Sequence, residues 1–389
     1  MRFAIKKWAD VLQIISGRNQ KEVLDPTGSY PIYGSGGIMG YANQYLCEAG
    51  TTIVGRKGTI DNPIFVNERF WNVDTAFGVS PGEQLNPRYL YFFCRHFNFR
   101  RLDKSTTIPS LSKRDLLSIE IPVPSLLEQG RIVAKIEELF SELDSGVETL
   151  KKTKQQLAVY RQAVLKAAFK GQLTEQWRIR NKCSCGWKTE SIVSLVKPGK
   201  HSLKAGPFGS ALKKDCYVPS GYKVYGQEQV IAGNEEIGDY FISKTKYQEL
   251  IACKVSPGDV LISLVGTVGK VLVLSTDCKE GVINPRLIKV SLDQNKMLPL
   301  FFKYYFESDY LRSLYKSKAH GATMDVLNLG MIKELPFAWC PVIEQSQVIG
   351  EIESRLSVCD SIEKTVDAAL QQAEAMRQSI LKKAFEGGL

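Results

Sequence analysis

Several residue groups have the types and spacing that could do chemistry, and each stops short of a reaction centre. Gly34, Gly36, Gly37 and Gly40 invite a nucleotide-binding loop, but Met39 stands where the third glycine of GxGxxG belongs, and no GxxxxGK[ST] segment occurs. Asn62-Pro63-Ile64 and Asn284-Pro285-Arg286 approach the Asn-Pro-Pro-aromatic tetrapeptide of amino-methyltransferases without its second proline. Cys183-Ser184-Cys185 is the only close cysteine pair. A structural zinc would need two further ligands at matching spacing, and the histidines are His96, His201 and His320 alone. No His, Asp and Ser or Cys set is spaced to announce a triad. The glycine cluster reads better as a turn whose backbone approaches another surface, and the chain as a reader rather than a catalyst.

Composition bounds the setting. Across 389 residues, 51 Lys and Arg exceed 41 Asp and Glu, a formal net charge of +10 that leaves a basic surplus for a polyanion. Nine cysteines, scattered and odd in number, point to reduced thiols. Met1 to Lys7 lacks a signal-peptide core, and no apolar run approaches the length of a membrane span. A cytoplasmic protein with no membrane association is expected.

The elements that must position any binding residues come in duplicate. Residues 128–173 and 344–389 align without a gap, with 18 of 46 positions identical. Glu128-Gln129 recurs as Glu344-Gln345, Asp144-Ser145 as Asp360-Ser361, Arg161-Gln162 as Arg377-Gln378, and Ala168-Phe169 as Ala384-Phe385. Within each copy apolar residues follow a heptad, with Ile136, Leu143, Leu150 and Leu157 on the seam of the first and Ile352, Val366 and Ile380 on that of the second. Ser125 with Glu128 forms a capping box, Pro341 replaces that serine in the second copy, and Gly171 and Gly387 sit where a left-handed C-terminal residue belongs. About 40 helical residues at roughly 1.5 Å each give rods of about 60 Å. The segment between them is long enough for the chain to return, so an antiparallel intramolecular coiled coil is predicted. Such pairing brings Lys154 and Glu363 together near the midpoint as an ion pair that could set register, unless both reach out to solvent.

The duplication extends beyond the helices. Tyr30-Pro31-Ile32-Tyr33-Gly34 answers Tyr222-Lys223-Val224-Tyr225-Gly226, Gly50 to Val54 answers Gly258 to Ile262, Gly58-Thr59-Ile60 answers Gly266-Thr267-Val268, and Pro87 to Leu90 answers Pro299 to Phe302. Each globule carries β-branched and aromatic runs punctuated by Gly and Pro, with an aromatic helix candidate at Tyr89 to Phe97 and at Leu300 to Tyr310. The predicted fold class is α/β (α+β): two globular domains of similar topology, 1–124 and 174–340, joined by long helices over 125–173 and 341–389, pseudo-two-fold symmetric.

With its Glu-Gln helix starts, Ala-Phe-x-Gly ends and globules opening on Tyr-x-[Ile/Val]-Tyr-Gly, the chain resembles the specificity subunit of Type I restriction-modification enzymes over essentially its whole length. The resemblance implies two target-recognition domains, each reading one half of a split, asymmetric double-stranded DNA site. It implies helices that act as spacer and docking surface for two methyltransferase subunits, with restriction and motor subunits joining for cleavage. It implies no cofactor on this chain, S-adenosylmethionine belonging to the methyltransferase partner. Three rivals stay open: a stand-alone methyltransferase, a coiled-coil scaffold or repressor, and the recognition subunit of a restriction class with a fused nuclease-methyltransferase partner.

If DNA is the ligand, the polar and basic residues beside the matched glycine turns are the candidate contacts. These are Tyr33, Ser35, Arg56, Lys57, Lys104, Thr106 and Thr107 in the first domain, and Tyr225, Gln227, Gln229, Thr267, Lys270, Lys318, His320 and Thr323 in the second. Gln227 and Gln229 suit bidentate adenine readout, whereas the lysines suit phosphates. Recurrence of Tyr33 and Tyr225 in both domains fits a shared core role better than specificity. Phe169 and Phe385 are expected to stack on the domains. Arg161 and Arg377 fit either the coil or partner docking.

Overall fold

The computed structural model describes residues 3–183, 186–208, 211–318 and 327–388. The chain divides into two compact units, Met1–Thr153 with Thr365–Leu389, and Lys154–Lys364. Each unit therefore takes one globule together with parts of both long helices, Leu126–Phe169 and Val342–Glu386. Among the described residues no helix is long and apolar enough to cross a membrane.

In the first unit, an antiparallel four-stranded sheet runs in the order Leu12–Ser16, Ala76–Pro81, Thr51–Gly55, Ile64–Val66. A three-stranded sheet places Tyr30–Gly34 between Gly37–Ala42, antiparallel, and Trp71–Asn72, parallel. Ile5–Lys7 pairs with Glu120–Pro122. The helix Pro87–His96 starts on Asn86, whose side chain accepts from the amides of Arg88 and Tyr89, with proline in the first turn where its missing N–H costs nothing. The helix buries Tyr89, Leu90, Phe92 and Phe93.

The second unit repeats this plan. Its four-stranded sheet runs Leu203–Ala205, Leu287–Val290, Val260–Ser263, Val271–Val273, again antiparallel. Tyr222–Tyr225 pairs parallel with Gly281–Ile283, and Lys188–Ser191 pairs with Pro336–Trp339. The predicted aromatic helix is shorter than Leu300 to Tyr310: it ends at Phe306, and a second helix, Asp309–Lys318, follows. The buried Ser308 hydroxyl causes the break, donating to the Tyr305 carbonyl and accepting from the Leu311 amide.

The long helices run antiparallel within each unit. In the first, Asp144 meets Arg377, and Ile132, Val133 and Ile136 share a core with Leu381, Ala384 and Phe385. In the second, Arg161 meets Asp360 at 2.7 Å and Glu363 at 3.0 Å, and Val164, Leu165 and Ala168 share a core with Val348, Ile349 and Ile352. Lys154 Nζ stands 3.8 Å from Glu363 Oε1, with both side chains partly in water. Seam residues Ile136, Ile352, Leu157 and Val366 are buried, whereas Leu143, Leu150 and Ile380 are only half-buried. The narrow seam broadens near the globules, where Ile132, Leu165, Val348 and Leu381, all off the heptad, bury against the domain cores. Both helices end in Schellman turns on left-handed glycines: Gly171 has φ 71° with Gln172 N donating to Ala167 O, and Gly387 has φ 82° with Gly388 N donating to Lys383 O.

Candidate nucleic-acid interface

In the first unit three loops adjoin. The two-residue turn at Ser35 and Gly36 lies beside the turn at Lys57 and Gly58, since a Cβ built on Gly58 would come within 3.9 Å of Ser35 Oγ. Gly58 has φ +82°, a left-handed backbone that favours glycine. The second turn is fixed by its own backbone, with Arg56 N and Lys57 N both donating to Thr75 O. It also binds the third loop, Gly58 N donating to Pro109 O and Leu111 N to Arg56 O. Asp103 folds that third loop: its Oδ1 accepts from Ser105 Oγ at 2.6 Å and from the Ser105 and Ser110 amides, and these bonds, the Ser105 hydroxyl foremost, hold its carboxyl below the usual range.

This geometry gathers most of the candidates from the first domain. Ser35, Arg56 and Lys57 stand on adjoining turns, and Thr106 and Thr107 are exposed on the third loop. Arg56 is half-buried, bonded to Asp74 O and lying 5.8 Å over the Phe77 ring, while Lys57 projects into solvent. Lys104 is paired with Asp115 at 3.1 Å. Tyr33 is half-buried, edge-on to Phe70 at 5.5 Å, and burial pushes its hydroxyl pKa up.

The second unit corrects two candidates. Tyr225 is fully buried and donates its hydroxyl to Lys279 O at 2.7 Å, so it is a core residue and has no surface to offer a base. Gln229 is also fully buried: Oε1 accepts from Gly226 N at 2.7 Å and Nε2 donates to Ile237 O at 2.8 Å. Its amide caps the helix Gln227–Ala232 and is not available for adenine. Gln227 is half-buried and donates to Val265 O, tying this helix to the turn that carries the exposed Thr267 and Lys270. The Lys318 side chain, His320 and Thr323 lie outside the described residues.

Two exposed residues beside these turns were not singled out by sequence. Arg286 belongs to a rejected motif, yet its carbonyl accepts from Leu264 N, which places it next to the Val265–Lys270 turn. Phe208 is 84 % exposed two residues after Gly206, whose own Cβ would collide with Asn284 O. Pairing of Gly206 with the Asn284 turn is legible only once the strand order is known. The first unit exposes Ile38, Met39 and Tyr41 on its Gly37–Ala42 strand.

Among the described residues there is no group of three or more His, Cys, Asp or Glu side chains that could hold a metal ion. What the two loop clusters offer is hydrogen-bonding, cationic and apolar side chains on turns held by backbone bonds, which is suited to recognition.

Comparison with known proteins agrees with this construction. Residues 2–157 match the family model described as the Type I restriction modification DNA specificity domain. The chain is 27 % identical over 323 residues to the Type I restriction enzyme StySPI specificity subunit of Salmonella potsdam, covering 79 % of this chain and 67 % of that one. It is 27 % identical over 335 residues to the EcoKI specificity subunit of Escherichia coli (strain K12), covering 81 % and 69 %. In fold, it superposes on a chain from a structure of the type I R-M system with a TM-score of 0.76 at 16 % identity, covering 100 % of this chain and 98 % of the other. The HsdS subunit from Thermoanaerobacter tengcongensis gives a TM-score of 0.55 at 16 % identity, covering 100 % and 97 %. The first globule and most of the first long helix thus match the Type I restriction modification DNA specificity domain, and the chain as a whole is similar to specificity subunits of Type I restriction enzymes.

Proposed function

We propose that this chain is the DNA-sequence specificity subunit of a Type I restriction-modification complex, each unit reading one half of a bipartite, asymmetric duplex site. The observation that carries this reading is one scaffold used twice with different elements at one place: after the shared Tyr-x-[Ile/Val]-Tyr-Gly strand, the first unit forms a hairpin and the second a helix. Identical heads would suit a symmetric site, and heads that differ on a common frame suit unlike half-sites.

Lys57, Lys270 and Arg286 would hold phosphates, and Ser35, Thr106, Thr107 and Thr267 would face base edges. The paired helices would set the separation of the half-sites and dock two methyltransferase subunits, which supply S-adenosylmethionine and the transfer step. Restriction and motor subunits would join the same assembly. This chain would then be non-catalytic, and flipping of the target base would fall to the methyltransferase. The test is salt dependence of binding by the assembled complex: each phosphate neutralised contributes a log-log slope of about −0.9. A flat titration, or methyl transfer by this chain alone, would overturn the assignment.

A further inference from the structure

Two buried amides occupy the same place in the two units. Gln129 is fully buried; its Oε1 accepts from Asn86 N at 2.7 Å, and its Nε2 donates to Gln84 O at 2.8 Å and Pro124 O at 2.9 Å. Gln345, its repeat partner, is equally buried; Oε1 accepts from Leu298 N at 2.8 Å, and Nε2 donates to Lys296 O at 2.8 Å and Cys340 O at 2.7 Å. In each case the bonds run to the loop that enters the aromatic helix and to the short link between the head's last strand and the long helix. The two donor hydrogens and one acceptor position of each amide are all used.

An apolar side chain would fill the same space without the cost of burying an amide. What the amide adds is direction, because three bonds to fixed backbone atoms are satisfied in one orientation only. A second contact grips the same aromatic helix from the other long helix. Phe385 packs on Tyr89 and Phe93 at 5.1 and 5.3 Å, and Phe169 packs on Phe301 and Tyr305 at 5.3 and 4.9 Å.

We propose that Gln129 and Gln345 are positioning residues for spacing: each locks the orientation of its head on the long helices, so that the complex rejects half-sites set one base pair too close or too far. This rests on the bipartite-reading assignment above and deepens it. Neither residue touches DNA, so neither affects which bases are preferred.

The experiment uses the full chain assembled with its methyltransferase partner and duplexes carrying both half-sites at native spacing and at one base pair more or less. Gln129→Met and Gln345→Met keep volume and lose all three bonds. The expected result is at least a tenfold fall in the preference for native spacing in each variant, with base preferences in both half-sites unchanged. Val23→Ala, a cavity in the separate small core of Ile32, Ala42 and Trp71, is the control: it lowers Tm and keeps the spacing preference. An unchanged spacing preference in the glutamine variants, or altered base preferences, overturns the proposal. If the methionine variants do not assemble, Gln129→Glu, which keeps shape and acceptor and loses the two donors, is read the same way. Hydrogen exchange on the unmodified complex needs no variant, and fast exchange at the Asn86 and Leu298 amides would also overturn it. If the unmodified complex recognises no bipartite site, the specificity assignment itself fails, and this proposal with it.

Discussion

The two compact units share a scaffold down to individual hydrogen bonds and differ most where the shared Tyr-x-[Ile/Val]-Tyr-Gly strand ends. In the first, Gly34-Ser35-Gly36-Gly37 turns the chain back as a hairpin, with Gly37 at φ +125°. In the second, Gln227 to Ala232 are helix formers, Gln229 caps the start on Gly226, and Gly233 ends the helix at φ 65°. A second difference lies in the cores. Thr51, buried in the first unit, corresponds to Asp259 in the second, where the carboxylate is buried 3.9 Å from Lys289. A third lies at the helix starts: Glu128 is partly exposed with its amide donating to Ser125 Oγ, whereas its repeat Glu344 is buried and receives bonds from Thr174, Trp187 and Arg178. The frame that holds a head in place was kept, while loops and core charges were free to diverge.

The largest expected effect separates the two cores. Asp259→Thr, which installs the first unit's residue, leaves Lys289 buried without its partner and should destabilise the second unit by about 3 to 5 kcal/mol; Asp259→Thr with Lys289→Met should recover most of that loss. Denaturant unfolding of the single and double variants decides it, and additive losses would mean the pair is not coupled. Next, Leu150→Pro breaks the helix Leu126–Phe169 in its interior, at a cost of about 3 kcal/mol or more, and should uncouple the half-sites. Bipartite methylation that survives it unchanged would remove the spacer role.

Phe385→Ala should cost about 3 kcal/mol and Phe169→Ala less, because Phe385 is buried and Phe169 only half-buried. Thermal melts would show equal losses if the two clamps were equivalent. Lys57→Ala and Arg286→Ala should each lower the magnitude of the salt slope by about 0.9, with base preference retained in both half-sites. The smallest effects belong to the reciprocal pairs on the coil. Arg161→Ala and Arg377→Ala should cost about 1 kcal/mol or less, since the facing Asp360 and Asp144 are largely exposed.

Much of the frame was legible in the sequence because repetition at constant register is insensitive to local ambiguity. The heptads, the glycine C-caps and the matched strands all followed from it. Gln129 and Gln345 were visible as repeated letters, but their role depends on carbonyls from Gln84, Pro124, Lys296 and Cys340, and nothing local announces such partners. Gln229 looks like a surface reader by residue type and is buried because the segment after Gly226 folds as a helix that it caps, whereas the burial of Tyr225 agrees with the core role that its recurrence suggested. Glu344 gives no hint of burial either, because the residues that cover it come from the segment after the first long helix.

Genome-wide methylation mapping, with and without this gene, tests the central claim most directly. The account predicts one asymmetric motif, two unlike half-sites with a fixed gap, present with the gene and gone without it. A continuous palindromic motif, or a split motif that persists in the deletion, would contradict it.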